Sequence, residues 1–137
     1  MTTPRKLLAT QEELILIRES VLLPFLQTIV DRNISDLERG KDVGQALLKR
    51  LFLVAAQRLR DDIEADLLRI KKTLSEQNIR VWEDDKKPRE ENARYYRFIC
   101  RGYEDGFGIL RDLAKAEVGM RIKTYVRKIE EAFSQRR

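Results

Sequence analysis

Residues 42–77 read DVGQALLKRLFLVAAQRLRDDIEADLLRIKKTLSEQ. Within this stretch Leu48, Phe52, Ala55, Leu59, Ile63, Leu67, Ile70 and Leu74 recur at a mean step of about 3.7 residues, close to the helical repeat. The spacing predicts one long helix. Asp42 and Gln45 stand in capping positions before it, and Asn78 can close it in the left-handed conformation. Its two halves differ. The first also carries Leu47, Leu51, Leu53, Val54 and Ala56, so it reads as wrapped by neighbours on several sides. The second keeps only a narrow stripe, flanked by Arg60, Asp61, Asp62, Glu64, Asp66, Arg69, Lys71 and Lys72.

Length turns this stripe into an expectation about assembly. A straight helix from Asp42 to Gln77 would span roughly 54 Å. A compact chain of 137 residues has a diameter of only ~37 Å. The half from Leu59 to Leu74 is therefore expected to overhang, with an apolar stripe that needs a cover. The expected cover is either the last helix of the chain or a second copy. The reading is a homodimer, with Leu59, Ile63, Leu67, Ile70 and Leu74 at its interface.

Working outward, Thr10 and Glu13 have capping-box spacing and open an earlier helix. From Leu14 to Val30, 11 of 17 residues are aliphatic or Phe, distributed nearly all round the helix, as in a central element. Pro24 falls inside it, and Gly40 is a plausible stop. Beyond the long helix the period changes to two. Ile79–Glu83 and Arg94–Arg101 alternate and are rich in β-branched and aromatic residues. The charged segment between them, residues 84–92, reads as a mobile hairpin tip, and Gly102 ends the second strand. Glu104 and Asp105 suit the first turn of a last helix, whose stripe is Leu110, Ala114, Val118, Ile122, Tyr125, Ile129 and Phe133. Gly106, Gly108 and Gly119 weaken that pattern. The expected fold is mainly α with a small β-hairpin, an elongated helical bundle in α-α-β-β-α order. It forms one domain over residues 1–137, with residues 1–9 as a flexible lead.

Composition excludes several function classes. Histidine is absent, which removes His-based triads, proton shuttles and metal ligands, and the single Cys removes disulfide frameworks and multi-Cys zinc sites. No cofactor fingerprint is present, since Gly102, Gly106 and Gly108 lack the Gly-Lys-Ser/Thr end of a phosphate loop. Arg18, Glu19 and Pro24 interrupt the most apolar stretch, so no membrane span is expected, and the N-terminal residues carry no apolar leader. The chain reads as cytoplasmic, with a reduced thiol.

Net charge is +5, and it is uneven. Residues 1–68 hold 10 basic and 11 acidic residues; residues 69–137 hold 18 and 12. Two groups in the basic half invite a nucleic-acid reading. On one face of the expected hairpin, Arg80, Trp82, Tyr95, Arg97, Arg101 and Tyr103 alternate guanidinium groups with rings, chemistry that suits phosphates and stacked bases. On the last helix, Arg121, Arg127 and Lys128 form a basic face. The plainer alternatives are cross-strand aromatic pairing and a solvated helix surface. Asp61, Asp62, Glu64 and Asp66 read as a salt-bridged helix face and not a metal site, given Arg58, Arg60 and Arg69 beside them. Cys100 falls on the strand face assigned to the core, as a small hydrophobe without a base. With no catalytic residue, metal or cofactor indicated, the leading expectation is a non-enzymatic regulatory or adaptor protein acting through an unidentified protein partner. The alternative is a nucleic-acid-binding protein using the basic C-terminal half.

Overall fold

The computed structural model describes residues 9–40, 46–87 and 92–134. Two long helices come first: α1 over Gln11–Arg39 and α2 over Ala46–Glu76. Three strands follow, β1 (Ile79–Glu83), β2 (Ala93–Cys100) and β3 (Tyr103–Leu110), and α3 (Arg111–Ser134) closes the chain. The protein is mainly α with a small antiparallel sheet, in strand order β1-β2-β3.

The capping box at the start of α1 forms as the sequence implies. The Glu13 backbone N–H donates to Thr10 Oγ1 at 3.1 Å, and the Thr10 N–H donates to Glu13 Oε1 at 2.9 Å. Gly40 caps the other end, its N–H reaching Leu37 O. The proposed caps Asp42 and Gln45 lie outside the described residues. Asn78 takes a φ of 63°, so the left-handed exit from α2 is as read. α3 runs unbroken through Gly119.

α1 and α2 pack antiparallel. Lys49 Nζ donates to Glu38 O and Gly40 O at one end, while at the other Arg101 bridges Glu13 and Gln77 O. This corrects the expected overhang. The C-terminal half of α2 lies along α1, so Ile63, Leu67, Ile70 and Leu74 are buried in the chain's own core with Ile17, Leu23, Leu26 and Val118. Leu59 packs against the edge of that core. The stripe assigned to a dimer interface is thus covered within one chain. The N-terminal half of α2, expected to be wrapped, is the exposed part instead: Leu48, Leu51, Phe52 and Val54 are each half or more open to solvent.

The hairpin is a three-stranded meander, so the order is α-α-β-β-β-α. Glu104 and Asp105 belong to β3 and not to a helical first turn, and α3 starts at Arg111, with Leu110 ending the strand. Arg101 and Gly102 form the two-residue β2–β3 turn, with φ of 49° and 91°. Positive φ at both positions matches the right-handed twist of adjoining strands. The inner face carries Ile79, Phe98, Cys100 and Ile109, all buried, against α1. Cys100 is a buried free thiol, as its strand position implied, and burial pushes its pKa up. The tip between β1 and β2 is described through Lys87, with the Lys86 N–H on Asp84 Oδ1; residues 88–91 lie outside.

Glu13 is the one buried charged residue among those described. Its carboxylate accepts two bonds from Arg101, at 2.8 and 2.9 Å. The Arg101 bonds, helped by the Thr10 N–H and opposed by burial, hold its pKa down to about 2, against 4.5 for a free group. A depressed carboxylate stabilises the fold above its unfolded pKa and loses that contribution as pH falls through the folded one. Glu13→Gln should therefore lower the urea midpoint at neutral pH. The gap to the native chain should narrow from pH 4.5 downward and close near pH 2. A gap independent of pH would contradict the ion pair.

Candidate functional site

Register decides which of the candidate residues meet. Trp82 pairs with Arg97, Arg80 with Ile99, and Tyr95 with Gly108. Directly opposed residues share a face. Arg80, Trp82, Tyr95 and Arg97 therefore lie together on the outer face of the sheet, turned away from the helices. Arg80 and Trp82 are exposed, Tyr95 and Arg97 half-buried. Lys87 Nζ stands 4.7 Å from the centre of the Tyr95 ring, a cation–π contact.

This face is shaped by two glycines. A Cβ at Gly108 would come within 3.1 Å of the Tyr95 ring, and one at Gly106 within 3.4 Å of the Arg97 guanidinium and 3.2 Å of Tyr96 O. Both long side chains of β2 lie flat across β3 because that strand offers bare backbone there. Arg97 also donates to Glu104 Oε1 at 3.0 Å, which ties it to β3 and neutralises part of the face.

Two members of the expected set are elsewhere. Arg101 turns inward to Glu13. Tyr103 falls on the same alternate set as Phe107 and Ile109, on the inner side, and its hydroxyl donates to Asp105 Oδ2; that carboxylate raises the phenol pKa. On α3, Arg121 is not a surface cation. It pairs closely with Glu19 of α1 and donates to Glu117 O, while Arg18 forks onto Glu117 at 2.6 and 3.1 Å. Arg127 and Lys128 remain exposed, Lys128 near the Tyr125 ring. The basic helix face is thus divided between α1–α3 ion pairs and solvent.

The acidic run on α2 is similarly engaged. Arg58 donates to Asp62 and Arg69 to Asp66, and the Tyr125 hydroxyl donates to Asp66 Oδ2 at 2.5 Å. Burial and that carboxylate push the Tyr125 pKa up. Among the described residues no group of three or more potential ligands is placed to hold a metal ion.

Asp62 and Asp66 mark the side of α2 that α3 covers, with Arg58 and Ala65 against Tyr125, Lys128 and Ile129. Helical spacing continues that side N-terminally through Ala55 to Phe52, Leu51 and Leu48. Beyond the stretch facing α3, therefore, the same side of α2 changes from charged to apolar and stays open. The sequence pattern contained these residues, but without the position of α3 it gave no means of telling covered from uncovered.

An antiparallel helical pair, a three-stranded meander and a closing helix define a small α+β protein with an aromatic–arginine sheet face and an apolar helix shoulder. The chain belongs to the YhjD protein family, whose model matches residues 8–130. No curated protein and no solved structure matches it.

The glycine dependence of the sheet face is directly testable. Gly108→Val should displace the Tyr95 ring and destabilise the fold by about 1–3 kcal/mol, the usual cost of overpacking, read from urea melts. An unchanged midpoint would show that Tyr95 does not lie against β3.

Proposed function

We propose that this protein works by binding and not by catalysis, as a small interaction module whose contact surface is the N-terminal half of α2 and whose partner there is a second copy of the chain. One observation carries the reading. In a chain with 37% charged residues, Leu48, Leu51, Phe52 and Val54 stand 50%, 58%, 56% and 61% exposed on a single stretch of helix. Solvated apolar side chains this dense are characteristic of a contact surface. Leu48, Leu51 and Ala55 follow the spacing of a helix–helix seam, and the small Ala55 at its C-terminal end permits close approach of a second helix. The strip ends where Arg58 and Asp62 pair, so its polar boundary is set by this helix itself. A single self-complementary strip of this kind is closed most simply by two-fold symmetry.

A second reading has its own support. The outer sheet face carries Arg80 and Trp82 on β1 beside Tyr95 and Arg97 on β2, with the glycines of β3 alongside. Rings to stack bases and guanidinium groups to meet phosphates are both present. Against it, Arg97 is partly neutralised by Glu104, and Arg101, Tyr103 and Arg121 contribute nothing to that face.

Light scattering on the full chain at micromolar concentration separates the two. Under the first reading the native protein is a dimer, and Leu51→Asp combined with Phe52→Asp is a folded monomer with unchanged circular dichroism. A monomeric native chain overturns it. Under the second, a single-stranded oligonucleotide binds at low salt and weakens as salt rises. Trp82→Ala and Tyr95→Ala then each cost about 1–3 kcal/mol of binding. Absence of binding at low salt removes that reading.

A further inference from the structure

A cavity of about 670 Å³ opens between α1, the β2–β3 end of the sheet and the first three turns of α3. Its volume falls within the roughly 300–1,000 Å³ of small-molecule sites. The walls are apolar, with Phe25 and Ile29 from α1, Ile109 from β3, and Val118 and Ile122 from α3. Four cations complete the lining: Arg32, Arg94, Arg111 and Lys115. No carboxylate lines it among the described residues.

Three features of this lining suit a ligand. First, all four cations are exposed and none makes an ion pair with a described residue, so each is open to an anionic ligand. Arg94 is the charged member of the inward-facing series Arg94, Tyr96, Phe98 and Cys100, and its guanidinium sits 5.5 Å from the centre of the Phe25 ring at the cavity wall. Second, Arg111 opens α3 and Lys115 follows one turn on, so both cations stand at the cavity end of that helix, with Asp112 supplying the acidic charge its first turn favours. Third, Gly119 lines the cavity in mid-helix, and a Cβ there would meet nothing within 4 Å. Neither backbone conformation nor packing calls for glycine, the weakest helix former after proline. Its effect is to widen the cavity.

We propose that this cavity binds an amphipathic organic anion, a hydrocarbon body held by Phe25, Val118 and Ile122 beside Gly119, with its carboxylate or phosphate head among Arg32, Arg94, Arg111 and Lys115. Guanidinium groups suit either head through paired, charge-assisted hydrogen bonds. The site is separate from the α2 shoulder and from the outer sheet face, so it stands whether or not the chain dimerises.

Calorimetric titration of the full chain with dodecanoate, dodecyl phosphate and dodecanol, each below its micellar concentration, tests this. One anion binds per chain, and the tighter of the two identifies the head group. Dodecanol binds about tenfold more weakly or not at all, because it lacks the charge. Arg94→Glu combined with Lys115→Glu weakens the anion about tenfold or more and leaves dodecanol unchanged. Gly119→Leu abolishes binding by filling the space. Gly119→Ala raises the melting temperature and weakens binding, a split that loss of folding cannot produce. Leu51→Asp with Phe52→Asp leaves the titration unaltered. Failure of both anions to bind, dodecanol binding as tightly as they do, native binding by Gly119→Leu, or loss of binding in the α2 variant would each overturn the proposal.

Discussion

The fold depends on one ion pair, between the buried Glu13 and the half-buried Arg101. Arg101 sits in the two-residue turn between β2 and β3 and holds the Glu13 carboxylate in a fork. Glu13 is also the third residue of the α1 capping box, so the same carboxylate closes the start of α1. Arg101 donates further to Gln77 O just past α2, and its backbone N–H reaches Asn78 O. The beginning of α1, the end of α2 and the β2–β3 turn of the sheet are thereby fixed to one another. From that junction α1 and α2 run side by side, and the meander is set against α1. α3 then returns along both helices, held by Arg18–Glu117, Arg121–Glu19 and Tyr125–Asp66. Removing one partner of the Glu13–Arg101 pair would leave the other charge without its counter-ion at the junction.

The helices were legible because their signals are local. The Thr10–Glu13 box, the 3.7-residue stripe of α2 and the left-handed exit at Asn78 each depend on residues a few positions apart. The inner strand face was legible for the same reason, and it placed Cys100 in the core. β3 was not. Its sequence, YEDGFGIL, holds two glycines that argue against a strand and two acids that suit a helix start. Both glycines are answers to neighbours on β2, the Tyr95 ring and the Arg97 side chain, which become visible only when the strands are paired.

The candidate surfaces were legible as residues and not as places. Arg80, Trp82, Tyr95 and Arg97 do share a face, because alternation along a strand is a local rule. Arg101 departs from it because a primed turn reverses the chain at that point, and Tyr103 because it resumes on the inner series. The α2 stripe shows the same limit. Periodicity identified an apolar side, but which half was covered depended on where α1 and α3 lie. The covered half is Ile63–Leu74, and the open half is Leu48–Val54. The cavity beside α3 was not foreseeable, since its lining converges from positions 25 to 122.

A double-mutant cycle on Glu13 and Arg101 tests the central claim most directly. The urea midpoints of Glu13→Gln, Arg101→Ala and the double variant are compared with the native chain at neutral pH. If the pair organises the junction, each single change removes the same interaction. The double variant then loses little more than the worse of the two. Losses that simply add would show that Glu13 and Arg101 act independently, and would contradict the account.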